Sequence, residues 1–175
     1  MKLPVVGKAH EAVAGRAPFV WFIYGSSLDA GAFAAWAKEH GYAVPDLAAG
    51  VPARLADHAL VFDVMSRFWG GFVGEPVPAP GQVIEGLALP LPETARGLVD
   101  HKEGAISGLF EPFEAEVTPL AGGAPIRAVV YRAVAGRRVP GDHAPAGRWL
   151  DTVIDGAKRA GLSPSWLATL AAVRR

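Results

Sequence analysis

The chain has 175 residues, 51% of them apolar and 19% charged, with Lys plus Arg equal to Asp plus Glu at 17 each. Against a usual domain size of roughly 100–200 residues this length points to one domain, 1–175, and the composition supplies a hydrophobic core and argues against disorder. Balanced charge leaves no basic field for nucleic acid, and the lack of cysteine excludes disulfides, thiolate catalysis and Cys-based metal centres.

Residues 1–16 carry lysines but no apolar run of the roughly 7–15 residues that a secretory leader needs, so they read as an N-terminal extension of a cytoplasmic protein. The alanine-rich, arginine-over-lysine usage suits a bacterium with a GC-rich genome. Ala17-Pro18-Phe19-Val20-Trp21-Phe22-Ile23-Tyr24-Gly25 is continuous, aromatic and β-branched. It is far short of the roughly 20 residues that span a bilayer and predicts a central strand buried on both faces, with no membrane partner. Gly25-Ser26-Ser27-Leu28 then forms a polar turn, Asp29 is a good N-cap, Phe33, Trp36 and Ala37 fall at helical spacing, and Gly41 is a stop.

Strand character returns from Ala53 to Met65, and the Gly- and Pro-rich stretch from Trp69 to Gly81 predicts a long loop. Such loops are often functional, and Trp69-Gly70-Gly71-Phe72 could lid a pocket or pack on the fold. Gln82 to Leu91 reads as strand, and Pro92-Glu93 opens a short helix ending near Gly104, which leaves Glu103 at a helix-to-loop junction. Phe113–Leu120 and Ile126–Val134 flank Gly122-Gly123 as an antiparallel hairpin. Two closing helices follow, Trp149–Ala160 and Ser163–Val173, with Ser163-Pro164 as N-cap and N1. The order β-α-β-β-α-β-β-α-α argues for an α+β (mixed α/β) fold, a mixed sheet or small barrel carrying helices.

Two segments could carry chemistry. At Tyr24-Gly25-Ser26-Ser27-Leu28 backbone N–H groups and two hydroxyls gather at a helix start, which suits an anion and equally suits plain helix capping. In Asp100-His101-Lys102-Glu103-Gly104 burial would raise the Glu103 carboxyl pKa toward general-base use, with Lys102 as counter-charge; a solvated helix end is the bland alternative. His58, His101 and His143 show no ligand spacing, so no metal or other cofactor is expected. Ser26 lacks the Gly-x-Ser-x-Gly elbow of a hydrolase nucleophile. Asp63 and Glu85 read as structural partners for an arginine such as Arg67, and Tyr131 either meets substrate or fills core.

Taken together, Tyr24-Gly25-Ser26-Ser27-Leu28, Leu60-Val61-Phe62-Asp63, Val83-Ile84-Glu85-Gly86, Val99-Asp100-His101-Lys102-Glu103-Gly104, Val130-Tyr131 and the tail from Trp149 through Leu162 fall in the order and spacing of one family. In these respects the chain resembles the γ-glutamylcyclotransferase-like (AIG2-like) family over about residues 18 to 172. The resemblance implies a small mixed β-barrel with flanking helices. It further implies Tyr24, Gly25, Ser26, Ser27, Leu28 and Tyr131 at a γ-glutamyl substrate and Glu103 as the base in a cyclisation releasing 5-oxoproline. The chain departs from the family's usual residues at Ser27 (asparagine), Val99 (leucine), Trp149 (tyrosine) and around Phe110 (tyrosine). These departures motivate the alternative of a non-catalytic metabolite-binding or assembly module on the same fold.

Overall fold

The first strand, β1 (Phe19–Ile23), is paired on both edges in a closed barrel and largely buried, which is why it tolerates no charge. It pairs antiparallel with residues 87–91 of one neighbour and parallel, through Trp21 and Val129, with another. The structure is a computed structural model that describes residues 18–174; the expected extension 1–16 lies outside the described residues. After a 3-10 turn at Ser26–Leu28 comes α1 (Ala30–Glu39), capped by Asp29, whose Oδ1 accepts from Ala32 N at 2.8 Å.

The next element differs from the expected loop. β2 (Val51–Ser66) and β3 (Gly71–Leu91) form one long antiparallel hairpin, and the stretch from Gly71 to Gly81 is strand. The sequence signal was misleading because Pro76, Pro78 and Pro80 normally break sheets. Here they share one strand parity, so their missing donors fall on one edge, and from Pro76 to Pro80 β2 is the only paired neighbour among the described residues. The two residues of the expected lid that flank the glycines also part company: Trp69 lies in the hairpin turn, whereas Phe72 stacks on His143 at 3.9 Å.

A 3-10 turn at Glu93–Ala95 leads into α2 (Arg96–Lys102). The hairpin of β4 (Phe110–Pro119) and β5 (Ile126–Ala133) follows, antiparallel as expected. The barrel closes in the order β1-β3-β2-β4-β5, and α3 (Gly147–Arg159) and α4 (Pro164–Ala172) pack outside it. This is the mixed α+β barrel the element order implied. One continuous core runs from Phe19 to Leu170 through the barrel and onto both closing helices. Among the described residues no helix is long and apolar enough to cross a membrane.

Of the two carboxylates read as structural partners for an arginine, Asp63 lies in the field of Arg138, whereas Glu85 is used otherwise. Glu85 accepts from both N and Oγ of Ser163 at 2.8 Å, tying the start of α4 to the barrel. Asp63 lies beside Glu75, a fully buried acid the sequence reading passed over. Glu75 takes an N–H bond from Ala133 at 2.7 Å and one from Arg138 Nε at 2.5 Å. Burial lifts its pKa, Arg138 and the Ala133 N–H oppose the rise, and the neighbouring Asp63 adds to it.

Candidate active site

The turn and the acid singled out in the sequence, some eighty residues apart, face one cavity of about 230 Å³. Tyr24, Gly25 and Ser26 form one side and Lys102, Glu103 and Gly104 another. β1 ends at Ile23 and delivers the turn, whose Gly25 and Ser26 carbonyls accept from Leu28 N and Asp29 N. In a one-turn 3-10 helix the leading N–H groups have no partner within the helix. Glu103 is the C-cap of α2, with its own N–H on Val99 O at 2.9 Å. Gly104 then adopts φ of 77°, a conformation that bends the chain away from the helix and sets the carboxylate at the cavity wall.

Burial raises the Glu103 pKa from 4.5 to about 7, against the opposing field of Lys102 and the indole N–H of Trp21. That indole nitrogen is buried and has no hydrogen bond of proper geometry, so its pull on the carboxylate is weak. The Lys102 ammonium stands 5.2 Å from the Trp36 ring centre, and burial lowers its own pKa while Glu103 resists that change. The cation is therefore a partial counter-charge, too weak to restore an ordinary carboxylate.

Not every expected residue reaches the cavity. Ser27 and Leu28 are buried and do not line it; Leu28 packs instead beneath α3. Tyr131 is fully buried behind the wall, its hydroxyl donating to Asp100 Oδ1 at 2.6 Å and its carbonyl accepting from Tyr24 Oη at 2.7 Å. Burial, Asp100 and Glu103 together push its phenol pKa far up, so it stays a neutral donor.

The sequence reading offered Trp69 as a pocket residue but missed Trp36 and Phe68 in the aromatic wall. Trp36, Phe68 and Trp69 line the cavity with Phe110 and Trp149, and the Trp149 ring lies against Gly25. His101 also lines it, held through Nδ1 by the Tyr42 hydroxyl at 3.0 Å. Phe110 and Trp149 were visible as departures from the family pattern, whereas Trp36 looked like ordinary helix core.

A closed five-stranded barrel whose first strand ends in a serine turn facing a half-buried glutamate has the γ-glutamylcyclotransferase-like architecture. Residues 84–170 match the model of the AIG2-like family, and the chain belongs to that family. A solved structure described as a γ-glutamyl cyclotransferase is similar at a TM-score of 0.72 and 22% identity, covering 89% of this chain and 88% of its own. An uncharacterised protein of Homo sapiens gives 0.71 and 23%, with 90% and 88% covered. A γ-glutamyl cyclotransferase specific to glutathione from yeast gives 0.61 and 15%, with 90% and 96% covered. At these identities the likeness establishes the fold. No curated protein matches the chain.

Proposed function

We propose that the protein is an enzyme that converts a γ-glutamyl amino acid or amine to 5-oxoproline and the free amine, with Glu103 as general base. The observation that carries this reading is the shared cavity: a carboxylate with a pKa near 7 facing the Tyr24-Gly25-Ser26 turn. In a γ-glutamyl compound the α-amine can reach the γ-carbonyl and close a five-membered ring, so the reaction needs no enzyme nucleophile.

Glu103 takes a proton from the α-ammonium, and the freed nitrogen attacks the γ-carbonyl carbon. The amide C–N bond then breaks as the departing nitrogen takes the proton Glu103 held, and Glu103 removes the surplus proton from the ring nitrogen and passes it to the freed amine, which leaves as the ammonium. Atoms and charge balance without water, metal or a covalent enzyme intermediate. The N–H groups of the turn hold the α-carboxylate and keep the substrate folded for attack, and the aromatic wall seats the departing amine.

Supplying the purified protein with a panel of γ-glutamyl amino acids and amines and measuring 5-oxoproline tests the reading; no product from any of them sinks it. The pH dependence is a second check. A base with a pKa near 7 must be ionised, so kcat should fall about tenfold per pH unit below about 6.5 and level off above about 7.5. A flat profile between pH 5 and 8 would remove Glu103 from the proton transfer.

A further inference from the structure

Tyr131 touches both halves of the candidate site without entering its cavity. It stands on β5, and its ring is fully buried in the core. From that one residue two short hydrogen bonds leave in different directions. The hydroxyl donates to Asp100 Oδ1 at 2.6 Å, and the backbone carbonyl accepts from Tyr24 Oη at 2.7 Å. Asp100 lies three residues before Glu103 on α2, on the same helical face, and Tyr24 is the residue immediately before the Gly25-Ser26 turn.

α2 is a short helix of seven residues at the barrel mouth. A helix of that length has little stability of its own and takes its orientation from tertiary anchors. The Asp100 bond is such an anchor, close to the functional end; at the other end the Arg96 guanidinium covers the Phe19 ring at 3.6 Å. We propose that Tyr131 is a positioning residue: through Asp100 on one side and Tyr24 on the other it fixes the distance between the Glu103 carboxylate and the substrate-binding turn. This rests on the reading of Glu103 as base, because the distance so fixed is the one across which the proton moves. The charged and titratable groups that face this unit are Asp100, Arg96, Lys102, Glu103, Tyr24 and, behind Tyr24, Glu75.

The test compares Tyr131→Phe, Asp100→Ala, Asp100→Asn and the double variant Tyr131→Phe/Asp100→Ala in 5-oxoproline release. Tyr131→Phe keeps the ring and the carbonyl and loses only the hydroxyl, so kcat should drop about 10- to 100-fold with KM within about twofold, the signature of a misplaced base. Asp100→Ala should match it, and the double variant should be no worse than either single, since both remove the same bond. Asp100→Asn keeps an acceptor oxygen and should recover most of the loss. Unchanged kcat in Tyr131→Phe overturns the proposal, as does a KM rise alone or additive losses in the double variant. Should Tyr131→Phe not fold, the contrast of Asp100→Ala with Asp100→Asn decides. If the wild type releases no 5-oxoproline from any γ-glutamyl probe, the reaction is wrong and the coupling is read separately, from the carbon NMR titration of the Glu103 carboxyl. Loosening the end of α2 admits water, so that pKa should fall toward the ordinary carboxylate range in Tyr131→Phe and Asp100→Ala; an unchanged titration overturns the coupling.

Discussion

Replacing Glu103 by glutamine should lower kcat by about 10³-fold, the usual scale for removing a positioned base, while the protein becomes more stable at pH 8. Both effects have one origin. The carboxyl is nearly isosteric with the amide, so the cavity keeps its shape and KM should change little. The stability change follows from linkage. In the folded protein the Glu103 pKa is raised to about 7, above its ordinary value of 4.5. The folded state therefore holds this proton more tightly than the unfolded chain does.

The resulting penalty is absent below about pH 4.5, grows as pH rises to about 7 and is fully present above that. Glutamine never ionises and escapes it. The variant should gain on the order of 1–2 kcal/mol at pH 8, after allowing for water in the open cavity, and the gain should vanish by pH 4.5. Denaturant titrations of both proteins at the two pH values measure it. A glutamine variant that keeps full turnover refutes the catalytic role, and one no more stable than wild type at pH 8 refutes the burial.

Gly156→Ala should cost about 3 kcal/mol, or about 6–12 °C in melting temperature, although alanine is the better helix former. α3 crosses the 3-10 turn with its backbone almost in contact. A β-carbon at Gly156 would lie 2.4 Å from Leu28 C and 2.4 Å from Asp29 N. Both are backbone atoms held between β1 and α1, so neither can swing aside, and α3 must lift. The ion pair of Arg159 with Asp29 at 2.8 Å ties the same helix to the same turn and would be disturbed with it. Since that turn is the proposed seat of the γ-glutamyl carboxylate, KM should rise several-fold as well. A melting temperature within about 2 °C of wild type would show that the contact relaxes cheaply.

What could be read in the sequence was what local chemistry dictates. The run into Gly25, the Asp29 cap and the Ser163-Pro164 helix start follow from hydrophobic patterning and capping, and each stands in the structure as read. The Gly71–Gly81 strand was hidden because its prolines are acceptable only where a strand has an unpaired edge, which is a property of the whole sheet. The candidate site was half legible. Tyr24 to Ser26 and Glu103 announced themselves by motif and position, whereas His101 and Phe68 reach the cavity only because α2 and the β2–β3 turn meet at the barrel mouth. Tyr131 shows the same limit, since an inward strand position cannot reveal that its hydroxyl finds Asp100.

Four of the five tryptophans stand at this cavity: Trp36, Trp69 and Trp149 in its wall and Trp21 beside Glu103, with Trp166 alone remote, near Glu85. The protein thus carries its own optical probe of occupancy. A γ-glutamyl compound entering the cavity should change tryptophan emission, and in Glu103→Gln the change should persist without product, recording affinity and turnover as separate signals. Emission indifferent to every such compound would mean that the aromatic wall does not face the bound molecule.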